Sequence, residues 1–167
     1  MLVCAMNPCK CGWYGHPSGR CKCSPNEVRK YHSRISGPLL DRMDLIVEVP
    51  ALDFDDLKEK PAGESSAAIR ARVDAARAVQ RRRYMNSKTV CNAQMGPKEL
   101  TEACALSADC ERLMQQAYDA MGLTARSYDR ILRVARTIAD LEGSEPIEPR
   151  HLAEAIQYRT YDFDAGL

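Results

Sequence analysis

The chain has 167 residues, enough for one ordinary domain or two small ones, and 45% of them are apolar and 28% charged. That balance allows a packed core and excludes a disordered chain, while a formal net charge of +1 gives bulk charge no part in binding nucleic acid or membrane. No apolar run approaches the roughly 18 residues that span a bilayer and no secretory layout opens the chain, so a cytoplasmic protein with no membrane partner is expected.

Residues 1–6 form an unbroken apolar run followed by Asn7-Pro8, the pattern of a strand buried on both faces in a parallel sheet. Such a strand needs neighbours, and only residues 45–49 offer a second, so the chain is expected to begin partway through a domain. Cys4, on the first strand, should be buried. Residues 8–23 read as a loop rich in Gly, Pro and Cys. Ser24-Pro25-Asn26-Glu27 then announces a helix with a capping box, running to about Ile35 and stopping before Gly37-Pro38. Residues 38–44 lead into the second strand, which ends at Pro50.

Residues 51–64, with Pro61 and Gly63, read as a linker between two parts. A helix over 65 to about 84 places Ile69, Val73, Ala76 and Val79 or Gln80 on one stripe. A polar loop over 86–95 and a short helix over 97–103 follow. Ser107 caps a helix that puts Met114, Ala117, Tyr118 and Met121 on one face and stops at Gly122. Thr124 caps the most regular helix, with Tyr128, Ile131, Leu132, Ala135, Ile138, Ala139 and Glu142 in register and Gly143 at its end. Pro149 opens a last helix through Leu152 and Ile156, and the tail over 161–167 is expected to fray. The fold class is therefore mainly α with a partial α/β segment: residues 1–50 of α/β character, a linker, and a helical bundle over 65–160.

Four of the eight cysteines crowd into Cys9-Lys10-Cys11 and Cys21-Lys22-Cys23. Disulfide scaffolds are short and secreted, so metal is the first explanation, and four thiolates make a closed tetrahedral zinc site. The glycines between the pairs let the chain turn back, and Lys10, Arg20 and Lys22 add positive charge. A reactive dithiol loop and four uncommitted surface thiols are the competing readings, and His16 is a weaker substitute ligand. Trp13 and Tyr14 sit at the tip, where they either pack on the following helix, the simpler reading, or stack on bases. Cys91, Cys104 and Cys110 have no ligand-like spacing and read as small apolar residues.

Three separated polar groups carry a second chemistry. Asn7 stands at the C-terminal edge of a strand, where an amide can orient water against a terminal phosphate. Arg42 stands at a corner between helix and strand, from which a guanidinium could reach a neighbouring subunit's nucleotide. Arg126 lies in the first turn of a helix, the end at which the helix dipole disfavours a cation. Each alone reads as a turn residue, a surface ion pair or a solvated side chain.

The strings Asn7-Pro8-Cys9 with Cys11-Gly12, Arg34-Ile-Ser-Gly-Pro-Leu-Leu-Asp-Arg42-Met-Asp-Leu45 and Arg130-Ile-Leu-Arg-Val-Ala-Arg-Thr-Ile-Ala-Asp-Leu141 together resemble the ComM/YifB type of the magnesium-chelatase-like AAA+ ATPases, over nearly the whole chain. The resemblance implies the end of an α/β subdomain plus a helical lid, with Asn7 as sensor 1, Arg42 as an arginine finger acting in trans and Arg126 as sensor 2. It also implies ATP and Mg²⁺ as cofactors, a hexameric ring of identical subunits, and DNA remodelling by branch migration in natural transformation. No G-x-x-x-x-G-K-[ST] loop and no acidic strand end before Asn7 occur in these residues. By the resemblance both lie upstream, so these residues alone should neither grip nor hydrolyse ATP. Two other readings stand beside the motor: the ATPase subunit of a magnesium chelatase, and a non-enzymatic zinc-ribbon interaction module. The basic residues of the helix over 65–84 and just beyond it, Arg70, Arg72, Arg77, Arg81, Arg82, Arg83 and Lys88, read first as a solvated face and second as a DNA contact.

Overall fold

The structure, a computed structural model, describes residues 1–50, 58 and 63–159. Two short helices, α1 (Pro25–His32) and α2 (Gly37–Leu40), follow the cysteine loop. A bundle comes next: α3 (Ser66–Arg83), a 3₁₀ turn (Asn92–Gln94), α4 (Pro97–Ala103), α5 (Ala108–Met121), α6 (Ala125–Glu142) and α7 (Pro149–Gln157).

Local chemistry fixes the helix ends. Ser24 Oγ accepts from the Glu27 N–H while Glu27 Oε2 accepts from the Ser24 N–H at 2.9 Å, closing the expected capping box. Ser65, Ser107 and Thr124 each accept from the N–H three residues on. Gly122 (φ 58°) and Gly143 (φ 72°) end α5 and α6 in the left-handed conformation that costs glycine no steric strain.

The core gathers around α6. Ile131, Leu132, Ala135 and Ile138 pack with Leu152, Ala155 and Ile156 of α7, Cys110 and Met114 of α5, Leu100 of α4, and Tyr84 and Met95 from the approach to α4. Cys104 and Cys110 behave as the small buried residues expected of them, with their S–H groups aimed at the carbonyls of Leu132 and Ile147.

The structure departs from the sequence reading in the first part of the chain. Among the described residues there is no strand, so the fold is mainly helical and the expected partial α/β segment is not seen. Residues 1–6 and 45–49 run without assigned secondary structure, with Leu2 67% and Val49 84% exposed. Cys4 is exposed, not buried. An apolar run becomes a strand only through a neighbour's hydrogen bonds, and among the described residues the one backbone bond of these two runs joins the Ile46 N–H to the Tyr158 carbonyl at 3.1 Å. Further differences are smaller. α1 stops at His32, and the Gly37-Pro38 segment opens α2 where a plain connection was expected. Ile69 and Val73 are exposed, because α3 is buried only through its C-terminal half, at Ala76 and Gln80. Tyr118 is likewise exposed on α5. The expected linker, apart from residues 58, 63 and 64, and the expected tail lie outside the described residues.

Candidate functional site

The cysteine loop folds back on itself and brings its two Cys-x-Cys pairs together. The Sγ atoms of Cys9, Cys11, Cys21 and Cys23 all lie within 4.8 Å of one another. Cys9 to Cys11 is 3.2 Å, Cys11 to Cys21 is 3.6 Å and Cys9 to Cys21 is 3.8 Å. A tetrahedral zinc with bonds of about 2.3 Å holds its sulfurs about 3.8 Å apart, so the donor set fits that ion in number, softness and spacing. Gly12 makes the first turn at φ 81°, its N–H donating to the Cys9 carbonyl at 3.0 Å. The loop rests on α1 through Lys10, which pairs with Glu27, and through Pro8, whose carbonyl is 2.7 Å from His32 Nε2. Cys9 and Val28 are fully buried beneath it.

The electrostatics of the four sulfurs diverge. The Trp13 backbone N–H and the Cys9 thiol lower Cys11 to about 6. Burial and the Cys11 thiol push Cys9 up, but the backbone N–H groups of Tyr14, Cys11 and Trp13 outweigh them and leave it below its ordinary value. Burial and the same Cys11 thiol push Cys23 up to about 12. Four thiolates this close repel, and a divalent cation among them is what lets all four ionise together. His16 is not part of the cluster: its Nδ1 accepts from the Ser18 N–H at 3.0 Å. Trp13 does not lie buried on the following helix. It is 37% exposed, its ring edge-to-face with His16 and under the Arg20 guanidinium.

The three phosphate-chemistry candidates are all exposed. Asn7 lies against Gly12, its Nδ2 3.7 Å from where a Cβ on that glycine would stand. Arg42 donates to the Pro38 carbonyl at 2.7 Å, which closes the α2 corner. The side chain of Arg126, in the first turn of α6, makes no hydrogen bond or ion pair among the described residues. The fold brings the last two to one region: Ser127, next to Arg126, donates to Asp41, next to Arg42, at 3.2 Å. No hydrogen bond joins Asn7 to either arginine among the described residues.

Two polar networks escaped the sequence reading. At the corner, Arg130 Nη1 donates to the Arg42 carbonyl at 3.0 Å and pairs with Asp44. Arg159 donates to the Met43 carbonyl and reaches Ser127 at 3.1 Å and Asp41 at 3.4 Å. A cleft of ≈ 190 Å³ opens there, lined by Leu40, Asp41, Leu123, Thr124, Ser127 and Arg159 among others. Inside the bundle, Asp140 accepts from Arg83 at 2.5 and 2.8 Å, from Arg136 at 3.1 Å and from Asn92 at 2.8 Å. The i,i+4 spacing of Arg136 and Asp140 was a legible signal; Arg83, 57 residues away, was not.

Residues 63–159 match the family model for the C-terminal domain of magnesium chelatase subunit ChlI, and residues 1–57 match the model for magnesium chelatase subunit ChlI itself. The chain is similar to the competence protein ComM of Haemophilus influenzae, 41% identical over 95% of its length. It is similar also to the YifB proteins of Salmonella typhimurium and Escherichia coli, 39% identical over 96%. It spans about 30% of the length of those relatives, which are 30% and 31% covered.

Proposed function

The chain belongs to the magnesium-chelatase-like family, in the branch of ComM and YifB, and from that membership we propose that it is the C-terminal part of an AAA+ ATPase that assembles as a hexameric ring and remodels DNA. The observation that carries this reading is the 41% identity to a competence protein over 95% of the chain. In it, residues 1–50 close the ATPase subdomain, residues 65–160 are the helical lid, and the protein works in the cytoplasm. Natural transformation is the process and branch migration the activity.

The residues present supply phosphate-facing groups but no loop that wraps a nucleotide, so ATP and Mg²⁺ binding belongs to a longer protein. Bound ATP supplies the phosphoryl group transferred to water. Toward it, Asn7 orients the water through its amide, Arg126 meets the phosphates of its own subunit from the lid, and Arg42 offers its guanidinium to a neighbour's nucleotide. The four cysteines hold a structural zinc that orders the loop beginning next to Asn7.

The family models also carry the chelatase name, and one measurement separates the two readings. ATP hydrolysis by the longer protein is expected to rise with single-stranded or forked DNA. A rate that ignores DNA and rises only with a porphyrin-binding partner would replace the motor with a chelatase subunit.

A further inference from the structure

Trp13 is the sole tryptophan of the chain, and it stands at the tip of the cysteine loop. A ring of this size buried in a core would need no explanation; this one is 37% exposed. Its neighbours are polar. The His16 ring meets it edge-on with centroids 4.9 Å apart, and the Arg20 guanidinium lies 5.0 Å from its centroid. Arg20 takes one face of the indole and His16 meets the ring at an angle, and more than a third of the residue still faces solvent.

The segment that carries it is equally lopsided in charge. Residues 1–40 carry six cations, Lys10, Arg20, Lys22, Arg29, Lys30 and Arg34, against Glu27 alone, which is +5 in a chain whose total is +1. Lys10 is taken by Glu27. Arg20, Lys22, Lys30 and Arg34 form no ion pair among the described residues and are exposed. Four thiolates around a divalent metal would remove two charges and leave the segment still positive.

We propose that Trp13, with Arg20 against its ring, is a stacking platform for an unpaired base of a single-stranded nucleic acid, whose phosphates the cations of this segment meet. A flat aromatic face accepts any base, because every base has a π-face, and the surrounding cations track the backbone without reading its sequence. A duplex keeps its bases stacked on one another and offers no such face. An acidic peptide would satisfy the cations and leave the ring unused. The proposal rests on the reading that the longer protein acts on DNA, and gives that reading a contact in this chain.

The test uses the 167-residue chain with a thymidine oligonucleotide of about 15 nucleotides, comparable to the strand length of one single-strand-binding module. Emission from Trp13 is expected to be quenched on titration, and the affinity to fall steeply with salt. A duplex of the same length is expected to quench little. Trp13→Ala should weaken binding of the labelled oligonucleotide about tenfold or more, with Trp13→Phe recovering most of the loss. Unchanged metal content in the Trp13→Ala protein shows that its loop is intact, and the quenching of the unsubstituted chain needs no variant. Unaltered emission at saturating oligonucleotide, no binding at all, or equal quenching by polyglutamate would each overturn the platform. Its failure stays separate from failure of the motor: hydrolysis by the longer protein that still rises with DNA after Trp13→Ala places the DNA contact elsewhere.

Discussion

A sulfur is the smallest unit on which the cysteine loop depends, and the four are not equivalent. Cys9 is fully buried and faced by three backbone N–H groups, whereas Cys11 is exposed and held down to about 6 by the Trp13 N–H and by Cys9. With a zinc ion bound, Cys9→Ser should remove a ligand and the buried sulfur that the backbone N–H groups of Tyr14, Cys11 and Trp13 face, and Cys21→Ser a ligand. The purified chain is expected to carry about one equivalent of zinc, and either variant to lose it, as read by elemental analysis. Acid should release the metal, because protons compete for thiolates. A chain that holds no zinc when purified under reducing conditions would remove the site and leave the dithiol loop standing.

Among the elements, α6 determines most of the bundle, and its buried carboxylate shows how. Burial pushes the Asp140 carboxyl up, but the Arg83 guanidinium and the Asn92 amide outweigh it and hold it below its ordinary value. A carboxylate depressed in the folded state contributes stability above the unfolded value of 3.8, and that contribution fades as the pH falls through the lower folded value. Asp140→Asn keeps the shape and removes the charge, leaving Arg136, 3% exposed, with the Ser144 and Glu145 carbonyls but no counter-charge; a loss of about 3 kcal/mol in urea unfolding at neutral pH is expected. Below pH 3 the gap between variant and parent should shrink. The same helix shows what a sequence makes legible. The spacing of Ile131, Leu132, Ala135 and Ile138, the Thr124 cap and the Gly143 stop are local signals, and each describes the element observed. Local signals also placed the four cysteines in one loop. The strands over 1–6 and 45–49 could not be judged this way, because a strand depends on hydrogen bonds to a partner that its own residues do not specify. For the same reason Arg83 and Arg159 went unrecognised: their partners lie 57 and 118 residues away.

At the scale of the whole molecule, the corner carrying Arg42 is held from outside its own segment. Arg130 and Ser127 of α6 and Arg159 beyond α7 bind the carbonyls of Arg42 and Met43 and the carboxylates of Asp41 and Asp44. The corner therefore moves with the helix whose first turn bears Arg126. In a ring, a guanidinium offered to a neighbour from such a corner would report the position of its own subunit's lid. Arg159, whose side chain is 7% exposed, is the place to cut this connection. Arg159→Ala is expected to cost about 2 kcal/mol of stability and to speed hydrogen exchange at the Ile46 amide while that of the α6 core stays slow. Arg42→Ala keeps the bonds from Arg130, Ser127 and Arg159 to this corner and removes the guanidinium together with its hydrogen bond to the Pro38 carbonyl. In the longer protein that variant should bind nucleotide normally and hydrolyse it about 10³-fold more slowly or worse. On the proposed reading of a guanidinium acting across the subunit boundary, addition of a subunit defective in its own nucleotide site but carrying Arg42 should restore part of the rate. If nucleotide affinity falls instead, and no partner subunit restores the rate, Arg42 serves the nucleotide of its own chain and the ring coupling drawn from this corner is wrong.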